Sequence, residues 1–199
     1  METSGKIAKG MVPSYVVDAA RSRFQVKAFA TGLLSSFGHN PTIAVRDFRG
    51  EAWFREQAPE QSSLRIEIPT ASLVIANEVS EKDRQEMDRV MKQEVLETDR
   101  YPEIRFQGSG RQVTEISAGM YRFVLGGTLG LHGVDRDVEF PSNVTVSPDI
   151  LRANGEFSIR QTDYRIKLVS VAGGTLKLKD ELKFQFDIVA QRRHETGNE

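Results

Sequence analysis

The stretch GGTLGLHGVDRDVEF, Gly126 to Phe140, gathers one histidine, three acids and an arginine around a glycine. Histidine occurs three times in the 199 residues, as His39, His132 and His194, so any chemistry that needs an imidazole runs through these positions. His39 (in SSFGHNPT) and His132 each stand beside a glycine, and both could sit at one mouth of a β structure. Together with Asp135 or Asp137 they offer the neutral nitrogen and carboxylate donors that suit zinc or iron. The same set could serve a metal-dependent enzyme, or act as general base for a hydrolase. Against this, no His-x-x-x-His spacing occurs, and the ligands would have to come from distant segments. The competing reading is a hairpin corner. In it Leu129 and Leu131 face inward, His132 faces solvent, and Gly133 shapes the turn. Asp135, Arg136 and Asp137 then pair in water while Val138 and Phe140 resume the inward face.

Other chemistry finds less support. The chain has no cysteine, which excludes disulfides, thiolate zinc sites and thiol nucleophiles. Ser35, Ser36 and Ser109 lie near turns, but no Gly-x-Ser-x-Gly elbow presents one of them. GGTLKLKD, from Gly173, lacks the Gly-Lys-Ser/Thr ending of a phosphate loop. His194 belongs to the polar terminal segment RRHETGNE and is expected to be an exposed tail residue. The sequence therefore predicts no catalytic residue and no metal, with the pairing of His39 and His132 as the enzymatic alternative.

The elements that would position these residues follow from composition and periodicity. Hydrophobic residues make up 39% and charged residues 28%, which suits one globular domain. With 27 basic and 28 acidic side chains, the balance gives no electrostatic reason to expect nucleic acid. No stretch reaches the ~18 apolar residues of a membrane helix, and none at the N-terminus resembles a signal peptide. Cytoplasmic localisation is the resulting expectation, or periplasmic if a signal peptide precedes this chain. Residues 1–12 and 192–199 are expected to be mobile tails flanking a domain over 13–191.

Period-two alternation dominates that domain, the mark of strands with one buried face. It directs Phe24 and Val26, Ile43 and Val45, Phe54, and Leu64, Ile66 and Ile68 to one side. Ile104 and Phe106, Phe123 and Leu125, Phe157, and Phe184 and Phe186 continue the same face. Between Val45 and Phe48 the parity of the inward positions switches, which predicts a bulge around Asp47 to Gly50. Residues 80–96 alone show helical spacing, through Met87, Val90, Met91 and Val95, with Ser80 and Asp83 as a capping pair. About eight antiparallel strands, short turns and one inserted amphipathic helix predict an all-β, eight-stranded closed barrel. At that size the interior is either filled by side chains or holds one small ligand, and periodicity does not choose.

Several segments, in order, resemble the YceI-like family of lipocalin-like barrels. YVVDAARSRFQVKA carries Tyr15, Asp18 and Ser22 of the family's opening strand pair. RDFRGEAWF carries Phe48 and Gly50, IPTASLVI follows, and YPEIRF carries Tyr101, Pro102, Ile104 and Phe106. GTLGLHGVDRDVEFP, FSIRQTDYRI and LKDELKFQFDIVA complete the set over about residues 14–191. Gly130 and Asp135 stand where the family pattern has threonines, and Asp-Tyr-Arg-Ile stands for an aromatic-Gly-Leu ending.

The resemblance implies a non-catalytic protein that binds, transports or stores a long isoprenoid or similar apolar lipid. A bound isoprenoid quinone or polyprenyl lipid is the implied ligand, with no other cofactor. The inward residues named above would line its pore, and Met87 and Met91 would either place the helix over it as a lid or simply pack the helix onto the barrel. A structural or interaction barrel with a filled core is the alternative. No stable membrane insertion is expected, and the oligomeric state, a homodimer included, stays open.

Overall fold

The computed structural model describes residues 13–31, 40–171 and 176–193. Twelve strands lie within these residues. They are β1 (Ser14–Val17), β2 (Arg23–Thr31), β3 (Thr42–Val45), β4 (Arg49–Trp53), β5 (Ser63–Pro69) and β6 (Leu73–Ile75), followed by β7 (Glu103–Ser117), β8 (Met120–Leu131), β9 (Val134–Val146), β10 (Ile150–Arg160), β11 (Ser170–Val171) and β12 (Leu176–Arg192). One α-helix, α1 (Glu81–Val90), falls between β6 and β7. All pairings are antiparallel, and β1-β4-β5-β7-β8-β9-β10-β12 closes on itself through β1 and β12. This is the closed eight-stranded barrel that the alternation predicts.

The closure is divided along β12. Its C-terminal residues pair with β1 (Val17 opposite Ala190), while Lys177 to Asp187 pair with β2. Beyond β2 the sheet continues through β3 to β6. Where β12 changes partner, Val189 keeps its pairing with Arg152 of β10 on one edge, while on the other it is met by a side chain and a turn rather than by a strand. Asp18 donates its backbone N–H to the Val189 carbonyl, and the Val189 N–H donates to Ser22 Oγ. Asp18 also accepts from Arg21 N and from Gln191 Nε2. The acid and the serine of the opening motif thus repair an interrupted ladder, as buried backbone groups require.

Two differences from the sequence expectation concern continuity. Residues 42–53 form two strands, not one strand with a bulge. β3 joins β2 and β6, whereas β4 joins β1 and β5, and Phe48 is buried between them against Phe24. The barrel also extends past residue 191. Arg192 pairs with Tyr15, and Arg193 donates its N–H to the Ser14 carbonyl and its guanidinium to Glu51 at 2.6 Å. Pairing leaves these two residues little freedom, so they are barrel and not tail. The remaining tail residues, and His39 and His194 with them, lie outside the described residues.

Outward positions carry cross-strand ion pairs, among them Arg49–Glu67, Arg152–Asp187 and Lys183–Glu156. These are exposed and each adds little stability. They keep the outer face polar, so the apolar alternation can only be satisfied inside.

Candidate functional site

The interior is hollow. A cavity of about 790 Å³ runs from beneath α1 toward the opposite end of the barrel. Its wall is built strand by strand from the inward positions: Phe24 and Val26 of β2, Ile43 and Val45 of β3, and Leu64, Ile66 and Ile68 of β5. Ile104 and Phe106 of β7, Leu125 of β8, Phe157 of β10, and Phe184 and Phe186 of β12 complete the ring. Met87 and Met91 reach in from the helical segment.

Two residues predicted on this wall are elsewhere. Phe54 and Phe123 are buried in a second cluster with Tyr15, Tyr121, Leu125, Phe140, Val144, Leu151 and Ala190. Phe54 lies on Tyr121, with ring centroids 5.3 Å apart, and Tyr121 on Phe123 at 6.2 Å. This cluster plugs the end of the barrel at which β1 closes the ring, so these two rings sit under the cavity and not around it. Alternation marks them as inward but carries no information on depth along the axis. The wall also includes Ala28, Ala153 and Ile188, which the same alternation directs inward, and the buried Gln161, which it does not reach.

Among the described residues, the other end of the cavity is bordered by α1 and by the ends of β2 and β12. Ser80 caps α1, accepting from the Asp83 N–H, and its hydroxyl donates to the Asp83 carboxylate. The same helix face carries Ser80, Asp83, Met87 and Val90, all bordering the cavity. After Val90 the segment Met91–Val95 widens into a π-turn, in which Leu96 N–H reaches the Met91 carbonyl. Polar side chains bordering the opening are the exposed Glu78, Ser80, Asp83, Glu86 and Lys177. Glu51 also borders the cavity, but Arg193 and Arg65 hold its carboxylate in a polar recess on the outer face.

His132 is a hairpin corner, as the leucine alternation suggests, but it does not face solvent. His132 and Gly133 have φ of +51° and +71°, the primed two-residue turn that joins twisted strands. The ring is 8% exposed, with Nδ1 3.2 Å from the Tyr164 carbonyl and Nε2 2.9 Å from Glu97 Oε2. Tyr101 packs on it at 4.2 Å between centroids, and a Cβ at Gly133 would lie 2.6 Å from the Tyr101 ring. The imidazole therefore ties the β8–β9 corner to the segments before β7 and after β10. The positive φ at the corner turns the ring inward, against the solvent-facing position that strict alternation assigns it.

Asp135 and Asp137 point away from it, to Arg105 and to the Thr128 hydroxyl. His132 with either aspartate is thus not a metal site. Among the described residues no group of three or more His, Cys, Asp or Glu is placed to hold a metal ion. Burial also acts on three tyrosines, raising the hydroxyl of Tyr15 and of Tyr121 and pushing that of Tyr164 up to about 12. None of these three borders the cavity.

A closed antiparallel barrel around an apolar cavity, with one helix beside its mouth, defines a lipocalin-like barrel. The chain belongs to the YceI-like domain family, whose sequence profile matches residues 15–190. It is similar to BcnA of Burkholderia cenocepacia, at 18% identity and a TM-score of 0.65 over 87% of this chain and 99% of that one. It is similar also to a polyisoprenoid binding domain from Saccharophagus degradans implicated in plant cell wall breakdown. There the identity is 14% and the TM-score 0.65, over 92% of this chain and 100% of that one. The YCEI protein of Campylobacter jejuni matches at 15% identity and a TM-score of 0.54, over 76% of this chain and 85% of that one. No curated protein matches the sequence. At these identities the structural likeness concerns the fold.

Proposed function

We propose that this protein is a non-catalytic carrier that binds the chain of an isoprenoid, a quinone tail or a polyprenyl lipid, inside the barrel. The observation that carries the reading is the cavity itself, about 790 Å³ with a wall of aliphatic and phenylalanine side chains. That volume lies in the upper part of the range of pockets that engulf a small ligand. Each methylene-sized group moved from water to such a wall contributes about 0.8 kcal/mol, so a branched chain binds with few polar contacts. Phenylalanines stacked across β9, β10 and β12, at 4.3 and 4.8 Å between centroids, give the wall a firm surface. Membership of a family with a polyisoprenoid binding domain among its structural relatives supports the same class of ligand. The polar groups at the rim are paired with each other or exposed, which supports binding without catalysis.

Solvent extraction of freshly purified protein, with mass spectrometry of the extract against a matched control protein, tests the proposal. A prenyl-chain lipid near one per chain is expected. Titration of delipidated protein with a prenol then checks uptake, and failure of both would remove the carrier reading.

A further inference from the structure

We infer that Gln161 reads the polar end of the ligand, selecting a neutral hydrogen-bonding group at the mouth of the cavity. The inference rests on the carrier reading above and adds the class of head group to it. Gln161 is 3% exposed and borders the cavity. It follows Arg160, the last residue of β10, and so continues the inward series Leu151, Ala153, Phe157 and Ile159. Opposite it, β12 runs past the end of β10 from the Arg160–Glu181 pair. There β12 is irregular against β2 between Leu178 and Leu182, and Gln161 Nε2 donates to the Lys179 carbonyl at 2.9 Å.

That bond fixes the side chain and explains part of its burial. A carboxamide has two N–H donors and an oxygen with two acceptor sites, so among the described residues its one side-chain bond, to Lys179, leaves most of its capacity for a ligand. A leucine of similar size would satisfy the packing. An amide on an otherwise apolar wall is expensive unless its remaining groups are met. Its level along the axis fits this role, close to Lys177 and Leu178 at the opening and far from the aromatic plug. A chain whose tail points to the plug brings its head to Gln161.

The chemistry of the head follows from the neighbours. Gln161 is uncharged and serves a hydroxyl or a carbonyl equally. Among the described residues the opening adds Glu78, Asp83 and Glu86 against Lys177; Arg89 pairs with Glu86, which leaves Glu78 and Asp83 against one lysine, a small negative excess that does not favour a phosphate. The geometry therefore points to a prenol or a prenyl quinone, both neutral, in preference to a phosphate ester.

The test compares geranylgeraniol, its parent hydrocarbon, its phosphate ester and a quinone with the same prenyl tail. Each displaces a fluorescent apolar probe from wild-type protein, Q161L and the longer, near-isosteric Q161M. Wild type is expected to prefer the alcohol over the hydrocarbon by about tenfold, the worth of one good hydrogen bond. The phosphate is expected to bind more weakly than the alcohol. In both variants the preference should fall to about unity, with hydrocarbon affinity kept within about twofold. Comparison of alcohol with quinone shows which neutral group the amide serves better. Equal loss for alcohol and hydrocarbon in the variants would make Gln161 a purely structural brace of Lys179 and overturn the inference. So would a wild type with no preference. Absence of binding by every chain would instead remove the carrier reading itself, and the role of Gln161 with it.

Discussion

Tyr164 is the most deeply buried large side chain described, 1% exposed, and its hydroxyl has no hydrogen-bond partner among the described residues. A buried unpaired hydroxyl costs stability, so Tyr164→Phe should be neutral at pH 7 or stabilising by up to about 1 kcal/mol. The same burial pushes its ionisation up to about 12, from an ordinary value of 10. The unfolded chain then gives up this proton from about pH 10 and the folded chain only near 12. Stability from this group is complete below pH 10 and is lost as pH rises through 12, by about 1.4 kcal/mol per unit. Denaturant titrations at pH 7 and across pH 9–11 check both statements. The variant should lose a part of the alkaline decline and keep the rest, since Tyr15 and Tyr121 are raised by burial as well. A loss above 1 kcal/mol at pH 7 would show that the hydroxyl is partnered after all. Beside it, Arg165 holds a left-handed φ of +59° at the place where the family pattern has glycine. Glu97 and His132, the other two non-glycine residues of positive φ among those described, meet at the same corner. The motif residues that suggest an active site thus hold three segments of chain together.

At the scale of elements, α1 is the part of the wall that depends most on its own local signals. No residue of α1 is fully buried, and Ser80 supplies its N-cap through the Asp83 N–H. Ser80→Ala should cost about 1 kcal/mol of helix stability. Hydrogen exchange should quicken over residues 81–90 while β7 to β9 keep their protection. If α1 controls access, ligand uptake followed by stopped-flow should also quicken, whereas an unchanged uptake rate with a loosened helix would deny it the role of lid. The helix was legible because spacing, cap and charge agree within one turn of each other. The alternation in β7, β8, β10 and β12 was legible for the same reason, since each is long enough to repeat. The break between β3 and β4 was not. A parity switch reads identically whether a strand bulges or ends, and only the partners of each half, β2 and β6 against β1 and β5, distinguish the two. His132 was misplaced for a related reason, because the primed turn re-aims a side chain that the strand period would send outward.

For the whole molecule, the open question in the sequence was whether the barrel is filled. Hydrophobic alternation fixes which side of each strand is apolar but not how far apart opposite walls stand. Here the division of β12 between β1 and β2 decides it: near β1 an eight-strand ring is narrow enough for Phe54, Tyr121 and Phe123 to fill, while β2, β3 and β6 carry the wall past that level around the cavity. The result is a tube closed at one end, and a tube of this kind measures its ligand. Ala153 lies on β10 next to the plug, opposite Ile188 of β12 and packed with the second cluster. A phenylalanine there takes space from the deep end alone. Excluding about two methylene-sized groups of a long chain, at about 0.8 kcal/mol each, lowers its affinity roughly tenfold. A short prenol, anchored near the mouth, loses nothing. Affinities of a prenol series of increasing length for wild type and Ala153→Phe should therefore rise together and then separate, the variant levelling off at a shorter chain. Parallel curves displaced by a constant amount would mean that the substitution disturbs the whole barrel. Coincident curves would mean that the chain never reaches the plug, and the ligand would then lie across the mouth under α1.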